Sequence, residues 1–271
     1  MSRNTNIIAI VSIVIISLLL LYTLFERYEE YNDLIEKYNG LVDKYNELGE
    51  SYKEFRDNIF LQVEENNTAV TIEYYTNFSR NQQTMTLSVP YEEYNASHFS
   101  PHPYWGERNL TSAINYITSD EPIINQIVET IKEQTQSEEE LANALLDFVQ
   151  DKQNGLSIRY YPTNELKYPI ETLVEMGGDC DTHAFLYGTL MKSAGFKGLI
   201  LLSKEEIDGQ PHVATAIHLE NPPEKSLSQI EDKEFTYNGE KYYYTETTHW
   251  NWRVGDLPPF FSNLTFYMIP V

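Results

Sequence analysis

The sequence predicts an α+β protein in which helices pack on an antiparallel sheet. Two observations lead to this prediction. From residue 113 to residue 195 apolar residues recur every three or four positions, which is the period of a helix, and after residue 195 the pattern becomes that of strands. Helices followed by strands along the chain are typical of the α+β class. The first 112 residues carry three other patterns, which predict a membrane helix, a helical stalk and a small β-rich segment.

The composition limits the possible partners. The chain of 271 residues has 19 Lys and Arg against 41 Asp and Glu, and a formal net charge of -22. Nucleic-acid binding needs a basic surface, so no nucleic-acid partner is expected. The one cysteine, Cys180, cannot form an internal disulfide. It is therefore either a small buried residue or a reactive thiol.

Residues 7–25 are uncharged and apolar, and they are long enough to cross a bilayer as a tilted helix. Glu26 and Arg27 follow without a small-residue cleavage pattern, so an uncleaved signal anchor is predicted rather than a cleaved signal peptide. Residues 1–6 are then a cytoplasmic tail, and the C-terminal part of this single-pass protein lies outside the cell membrane. The glycosylation sequons all follow the anchor and begin at Asn66, Asn77, Asn95, Asn109 and Asn263.

Residues 26–58 have a heptad pattern, in which tyrosines and apolar residues alternate at spacings of three and four. This pattern predicts a coiled-coil stalk through which the protein would form a homo-oligomer. A single amphipathic helix packed on the head domain is the alternative. The residues of the seam are Tyr31, Leu34, Tyr38, Leu41, Tyr45, Leu48, Tyr52 and Phe55.

Residues 59–112 are β-rich, with the runs IFLQV, AVTIEYYTNF and QQTMTLSVP. The stretch NASHFSPHPYW at residues 95–105 is interpreted as a loop. His98 and His102 are expected to be ordinary loop residues, because neither cysteines nor a carboxylate pattern accompanies them. Nothing else in the sequence requires a metal or a cofactor.

Residues 113–271 form the main predicted domain. A long helix is predicted from about Cys180 to Gly195, and strands are expected at residues 197–203 and 212–220. Residues 234–248 form a predicted hairpin with Asn238-Gly239 as its type I′ turn. The earlier helix starts carry capping residues or prolines: Ser119 or Asp120 with Pro122, Ser137 with Glu140, and Pro169.

Cys180 is placed at a junction between a glycine-containing loop and a helix. Gly177 and Gly178 allow a sharp turn and leave room near the thiol. The partial positive charge of a helix N-terminus is expected to lower the thiol pKa, and its N–H groups can hold an oxyanion. Asp179 and Asp181 oppose formation of the thiolate. The pattern indicates a nucleophile, although Cys-x-x-His with His183 would also suit zinc if a second ligand pair existed.

A thiol nucleophile needs a base and an acid that orients the base. His212 opens one predicted strand, and Glu246 lies on the second strand of the predicted hairpin. If these two strands are neighbours, the carboxylate can accept a hydrogen bond from the imidazole. Cys180, His212 and Glu246 would then form a catalytic triad.

Three stretches resemble the motifs of transglutaminase-like, papain-related proteins, closest to membrane-anchored ones associated with archaea. They are YPIETLVEMGGDCDTHAFLYGTLMKSAGF at residues 168–196, PHVA at residues 211–214 and YYYTETTHWNWRVGDLP at residues 242–258. The resemblance covers roughly residues 113–258. It implies a cysteine helix packed on an antiparallel sheet, with Cys180 as nucleophile, His212 as general base and acid, and Glu246 as orienting group.

The chain departs from the family pattern in three places. The third motif residue is usually Asp and is Glu246 here, residues 221–233 lengthen the chain before it, and Thr182 and His183 stand where small or aliphatic residues are expected. A calcium site of the transglutaminase kind cannot be mapped onto this sequence. The second oxyanion donor is left open among Tyr160, Tyr161 and Tyr168.

The resemblance implies a cysteine hydrolase or acyltransferase that forms a thioester with a protein or peptide substrate. Peptide or glutamine-type amide bonds are the expected targets, and a protease or amidase is favoured over a crosslinker because water is the abundant acceptor outside a cell. The alternative function is a catalytically silent binding or scaffold module of the cell envelope, carried on an oligomeric stalk.

Overall fold

The computed structural model describes residues 67–76, 81–104, 106, 109–207, 210–224 and 233–271, together with positions 27, 28, 31, 35, 37–40 and 44. Contacts divide the chain into two compact units, Met1–Glu64 and Glu65–Val271. The predicted anchor at residues 7–25 lies outside the described residues. No helix among the described residues has the length and apolarity needed to cross a bilayer.

The described positions of the first unit are helical, and their side chains are exposed. Helical structure here agrees with the helix predicted for residues 26–58. Tyr28, Tyr31 and Tyr38 are among these helical positions, and their rings are exposed. The pairing of such helices into a coiled coil stays a prediction.

The second unit contains helices and strands, so the mixed fold class predicted from the sequence is confirmed. Its helices are α1 (Tyr91–His98), α2 (Pro122–Lys132), α3 (Glu138–Val149), α4 (Pro169–Glu175) and α5 (Cys180–Ser193), with 3₁₀ segments at Leu110–Tyr116 and Pro259–Phe261. Its strands are β1 (Asn67–Thr76), β2 (Asn81–Pro90), β3 (Arg159–Tyr160), β4 (Gly177–Gly178), β5 (Gly198–Ile207), β6 (Gln210–Ile217), β7 (Glu234–Tyr237), β8 (Glu240–Thr245) and β9 (Phe266–Pro270).

The last five strands form one antiparallel sheet in the order β7-β8-β6-β5-β9. Strands β6 and β8 are therefore neighbours, with Thr215 opposite Thr245 and Ala216 opposite Tyr244. The predicted hairpin is confirmed, since Asn238 and Gly239 have φ angles of 49° and 84°. Strand β9, which pairs with β5, was not predicted.

Both faces of this sheet are buried. Helix α5 covers one face, where Phe185 packs with Ile200 and Val213. The opposite face is covered by the chain after β8, where Leu257 and Leu264 join Tyr244. Because both faces are covered, β5 is apolar at consecutive positions instead of alternating ones.

The N-terminal hairpin of β1 and β2 packs on α3. Tyr74 meets the ring of Phe148 edge to face at 6.0 Å, and the Tyr75 N–H donates to the Asp147 carboxylate at 2.7 Å. Ser137 caps α3, since the Glu140 N–H donates to Ser137 Oγ at 3.1 Å. The predicted capping box is only half formed, because the Glu140 carboxylate accepts from the Gln136 N–H at 2.8 Å and not from that of Ser137. Contacts of this kind join the hairpin and the helices into one unit.

Two helix starts differ from the sequence prediction. Helix α2 begins at Pro122 with Glu121 as its N-cap, not Ser119 or Asp120. Helix α1 extends through residues 95–98, which were predicted as part of a loop. The helix is favoured by two glutamates in its first turn and by the burial of Tyr94, a tertiary contact that a short polar sequence does not reveal.

Gly177 and Gly178 lie just before α5, where neighbouring atoms leave no space for a side chain. A Cβ on Gly177 would lie 2.6 Å from the carbonyl oxygen of Arg159, across the short β3–β4 pairing. A Cβ on Gly178 would lie 2.4 Å from the side chain of Thr182. These positions require glycine because of close approach to Arg159 and Thr182. Neither glycine has a positive φ, and that they leave room next to the thiol stays a prediction.

Replacing Gly177 by alanine is expected to lower the free energy of unfolding by about 1–3 kcal/mol, because the added methyl overlaps a backbone oxygen that is held in a strand pair. Chemical denaturation of the variant measures the loss. Gly155→Ala is the matched control, because a Cβ there meets no atom within 4 Å. Equal unfolding energies for the two variants would contradict the crowding.

Candidate active site

Cys180 is the first residue of α5, and its position is set by the cap of that helix. Asp179 is the N-cap, and its carboxylate accepts from the Thr182 hydroxyl at 3.1 Å and from the Thr182 N–H at 3.4 Å. The thiol is partly buried and packs against the cluster that contains Phe185 and Val213. The helix therefore presents the sulfur to strand β6.

His212 lies on β6, where its backbone N–H donates to the Ser203 hydroxyl of β5 at 2.7 Å. The imidazole stacks on Phe261 with ring centroids 4.2 Å apart and an interplanar angle of 19°. The residue is 9% exposed, so the ring has one orientation fixed by packing while an edge remains accessible.

Glu246 follows the last residue of β8 and is buried. Its Oε2 atom lies 3.0 Å from His212 Nε2 and accepts from the Tyr244 hydroxyl at 2.9 Å. Its Oε1 atom accepts from the Thr248 N–H at 3.0 Å and from the Thr248 hydroxyl at 2.6 Å. Four donors thus surround one carboxylate, which is the condition for keeping it ionised away from water.

The electrostatics of this pair determine which imidazole nitrogen carries a proton. Burial raises the pKa of Glu246, but His212 and the hydrogen bonds from His212 and Thr248 outweigh burial and lower that pKa to about 2. An ionised carboxylate only accepts, so the neighbouring Nε2 of His212 donates. In the neutral ring Nδ1 is then the nitrogen with a lone pair.

The thiol belongs to the same group of side chains. The N–H of Val213, next to His212, hydrogen-bonds the sulfur of Cys180 and favours the thiolate. Burial raises the pKa of Tyr244, and the charges of Glu246 and Cys180 raise it further, which places all three groups within electrostatic reach. The structure therefore places Cys180 within electrostatic reach of Glu246 and against the residue that follows His212, between α5, β6 and β8.

The charge state of the thiol differs from the sequence expectation. Burial raises the pKa of Cys180 well above its ordinary value, and the carboxylates of Asp181 and Asp179 raise it further. The helix N-terminus and the Val213 N–H do not compensate for these effects. The expectation of a low thiol pKa was wrong, because burial and two flanking acids outweigh a helix dipole.

Gln150 is a site residue that sequence reasoning missed. Its Nε2 donates to the carbonyl oxygens of Glu246 at 2.7 Å and of Trp252 at 3.0 Å, and the residue is 1% exposed. It holds the backbone that carries Glu246. A glutamine at the end of an amphipathic helix carries no signal in one sequence that it reaches a segment 96 residues later.

His183 has a similar supporting role. Its Nδ1 lies 2.7 Å from the Val149 carbonyl oxygen and 3.2 Å from that of Thr247, the residue after Glu246. The ring is fully buried, and burial lowers its pKa, so it is neutral. A buried donor between α5 and the Glu246 segment explains why a histidine stands where the family pattern has a small or aliphatic residue. No zinc pair is needed to explain it.

Two of the tyrosines considered as oxyanion donors have other contacts. The Tyr168 hydroxyl donates to the Pro101 carbonyl at 2.8 Å, and the Tyr161 hydroxyl accepts from Lys167 Nζ at 2.7 Å. Tyr160 packs beside His249 with ring centroids 5.5 Å apart. The start of α5 is the other source of backbone N–H donors next to the sulfur, although its Thr182 N–H is already bonded to the Asp179 cap.

Comparisons with protein-family models, with curated proteins and with solved structures find no match to this chain.

Alkylation of Cys180 by iodoacetamide is expected to accelerate only at alkaline pH, above the ordinary thiol pKa of about 8.5. The physical reason is the burial of the thiol and the charge of Asp181 and Asp179 beside it. The rate of alkylation, measured by mass spectrometry from pH 5 to pH 10, tests this.

Asp181→Asn is expected to move the midpoint of this profile to lower pH, because it removes one negative charge next to the sulfur. Asp120→Asn, at an exposed position before α2, is the matched control and should leave the midpoint unchanged. A wild-type midpoint below pH 7 would mean that the thiolate is already paired with the imidazole in the resting protein.

Glu246 is expected to contribute pH-dependent stability. Its pKa in the folded protein is about 2 and its ordinary value is 4.5, so the contribution is complete above pH 4.5 and is lost as the pH falls toward 2. The shift corresponds to about 3 kcal/mol. The difference in unfolding free energy between wild type and Glu246→Gln should therefore shrink on acidification. Glu133→Gln, at an exposed position, is the control, and its unfolding free energy should stay close to that of the wild type at every pH. If the difference between wild type and Glu246→Gln is the same at pH 6 and at pH 2.5, Glu246 does not carry a buried charge.

Proposed function

We propose that this protein is a thiol hydrolase or acyltransferase with a transglutaminase-like, papain-related core, acting through Cys180, His212 and Glu246. The observation that carries the proposal is the buried His212–Glu246 pair, 3.0 Å from Nε2 to Oε2, beside the cysteine at the start of α5. A hydrogen-bonded acid and base next to a thiol are the parts that nucleophilic catalysis requires.

The raised thiol pKa supports a particular order of events. The resting sulfur is protonated, and Nδ1 of His212 accepts that proton as the sulfur attacks the carbonyl carbon of an amide. The carbonyl oxygen gains a negative charge, which N–H groups of the first turn of α5 can stabilise. When the tetrahedral intermediate collapses, the C–N bond breaks, the amine leaves with the proton from His212, and a thioester remains on Cys180.

The thioester is resolved by the same imidazole. Nδ1 accepts a proton from water as the water oxygen attacks the thioester carbon, and the proton returns to the sulfur as the carboxylic acid leaves. An amine in place of water would give transamidation. Glu246 stays ionised throughout and stabilises the imidazolium, since Tyr244 and Thr248 continue to donate to it. Gln150 and His183 act as positioning residues, because they hold the backbone segment that carries Glu246.

Protein or peptide substrates outside the cell are proposed, with peptide or glutamine-type amides as the reacting bonds. The support for this setting is the apolar segment at residues 7–25 and the heptad pattern at residues 26–58. Hydrolysis is favoured over crosslinking because water is the abundant acceptor. The second candidate, a silent binding or scaffold module of the envelope, has no use for a buried acid–base pair next to its thiol, so the geometry favours the enzyme.

The test uses the full chain in detergent and a pool of synthetic peptides, some with glutamine side chains. Cleaved peptide bonds, released ammonia and a peptide mass added to Cys180 on acid quenching are measured by mass spectrometry. Cys180→Ala should abolish all three signals. His212→Asn and Glu246→Gln should lower the turnover by about 10²–10⁴-fold, the range for a lost general base or its orienting group.

His218→Asn is the matched control, because this histidine lies just after β6 and hydrogen-bonds the Lys241 carbonyl at the surface. It should retain wild-type turnover. If Cys180→Ala turns over substrate as fast as wild type, the activity belongs to another group or to a contaminant. If the wild type neither forms an adduct nor cleaves any peptide, although it is folded, the binding module becomes the better description.

A further inference from the structure

A second group of polar side chains lies outside the thiol site, between α1 and α4. His98 is the last residue of α1, and Glu171 and Glu175 are one turn apart on α4. His98 Nδ1 lies 3.2 Å from Glu171 Oε1 and 3.9 Å from Glu175 Oε1. These three donor atoms all lie within 4.8 Å of one another. The sequence prediction that His98 and His102 are ordinary loop residues did not foresee that α4 brings two carboxylates to them.

Neighbouring groups fix the far oxygen of each carboxylate. Glu171 Oε2 accepts from the Tyr168 N–H at 2.7 Å and lies 2.8 Å from His102 Nε2. Glu175 Oε2 is paired with Lys167 Nζ at 2.9 Å. Each carboxylate therefore turns its Oε1 atom toward His98. Glu175 Oε1 also accepts from the buried Tyr94 hydroxyl at 2.9 Å, and this hydroxyl lies 3.5 Å from His98 Nδ1, so it would stay as an outer hydrogen bond to a ligand oxygen or shift when an ion binds. Outer hydrogen bonds that orient ligands in this way are a usual feature of metal sites.

The two carboxylates are buried, whereas the histidine is partly exposed to solvent. The side chains of Glu171 and Glu175 are 4% and 2% exposed, while that of His98 is 32% exposed. The carboxylates cannot swing away from the histidine without opening the helix pair. An ion can approach from the solvent side of His98 and keep one water molecule as a further ligand.

We propose that His98 Nδ1, Glu171 Oε1 and Glu175 Oε1 bind a Zn²⁺ ion. One imidazole nitrogen with two carboxylate oxygens is a donor set that suits zinc, whereas calcium and magnesium prefer oxygen alone. Tetrahedral ligands at the usual zinc distances lie roughly 3.4 Å apart. The separations from His98 Nδ1 to the two oxygens bracket that value, so small side-chain adjustments bring all three donors onto one ion.

Zinc binding is expected to depend on pH, because it releases any proton held on His98 Nδ1. Without the ion, His98 Nδ1 stands at hydrogen-bonding distance from Glu171 Oε1, and the nitrogen must present a lone pair to the metal. Any proton on Nδ1 is therefore released when zinc binds, and the affinity falls as the solution is acidified. Lys167 beside Glu175 lowers the affinity further by repulsion, and it pairs with Oε2, whereas Oε1 accepts from the Tyr94 hydroxyl.

The proposed site would connect α1 to α4, the helix that precedes the thiol in the chain. Helix α4 leads through Met176, Gly177 and Gly178 directly to Cys180. An ion held between His98 and α4 would fix α1 to the segment that enters α5. The proposal concerns binding and stability, so it stands independently of the proposed enzymatic function.

The test is a titration of the metal-stripped full chain with Zn²⁺ alone at pH 7.5, followed by competition with a chromophoric zinc indicator and by thermal unfolding. One ion per chain and a raised unfolding temperature are expected. His98→Ala should weaken binding at least tenfold and remove the rise in unfolding temperature. Glu171→Gln should do the same, and because Glu171 also caps α4, circular dichroism must show that this variant is folded.

Two further variants distinguish the alternatives. His218→Ala removes a surface histidine elsewhere and should bind zinc as the wild type does. Cys180→Ser shows whether the ion is instead held by the thiol, and it too should bind as the wild type does. Absence of saturable binding in the wild type overturns the proposal. So does binding that survives in His98→Ala, which would come from surface carboxylates, or binding that is lost in Cys180→Ser.

Discussion

A buried, ionised carboxylate at Glu246 is the constraint on which the site depends. A carboxylate in a position without water needs donors from several directions, and here they come from β6, from β8 and from the segment after β8. Strands β6 and β8 must be neighbours in the observed register for these donors to converge. Gln150 and His183 then hold the same segment through its backbone, which links the acid to α3 and α5.

The surroundings of the thiol favour a protonated sulfur in the resting protein. Burial and two adjacent aspartates oppose the thiolate, while the helix N-terminus and one backbone N–H favour it. A protonated sulfur reacts slowly with small electrophiles and oxidants, because the thiolate is the reactive species. Under the proposed function, reaction would require a substrate that brings its carbonyl group close enough for the proton to move to His212. The same raised pKa would then both protect the thiol from oxidants and restrict its reaction to bound substrates.

Much of the domain could be predicted from one sequence because its signals are local. The N-cap at Ser137, the type I′ turn at Asn238 and the helix from Cys180 each depend on adjacent residues, and the order of helices and strands predicts the mixed fold class. The neighbouring strands of His212 and Glu246 were a conditional expectation. Contacts between distant segments carry no such signal: Gln150, the partners of His183 and the meeting of His98 with α4 all depend on packing. The thiol pKa was misjudged because the sequence shows a helix dipole but not the depth of burial.

The long separation between Gln150, His212 and Glu246 also has a consequence for biosynthesis. Glu246 follows Gln150 by 96 positions and His212 by 34, so neither local helix formation nor the β5–β6 pairing can assemble the acid–base pair. On the ribosome, Cys180 emerges long before β8 exists. Until β8 is made, the nascent chain therefore carries a cysteine without its imidazole–carboxylate partners. Under the proposed function, acyl transfer could not begin before the sheet is complete.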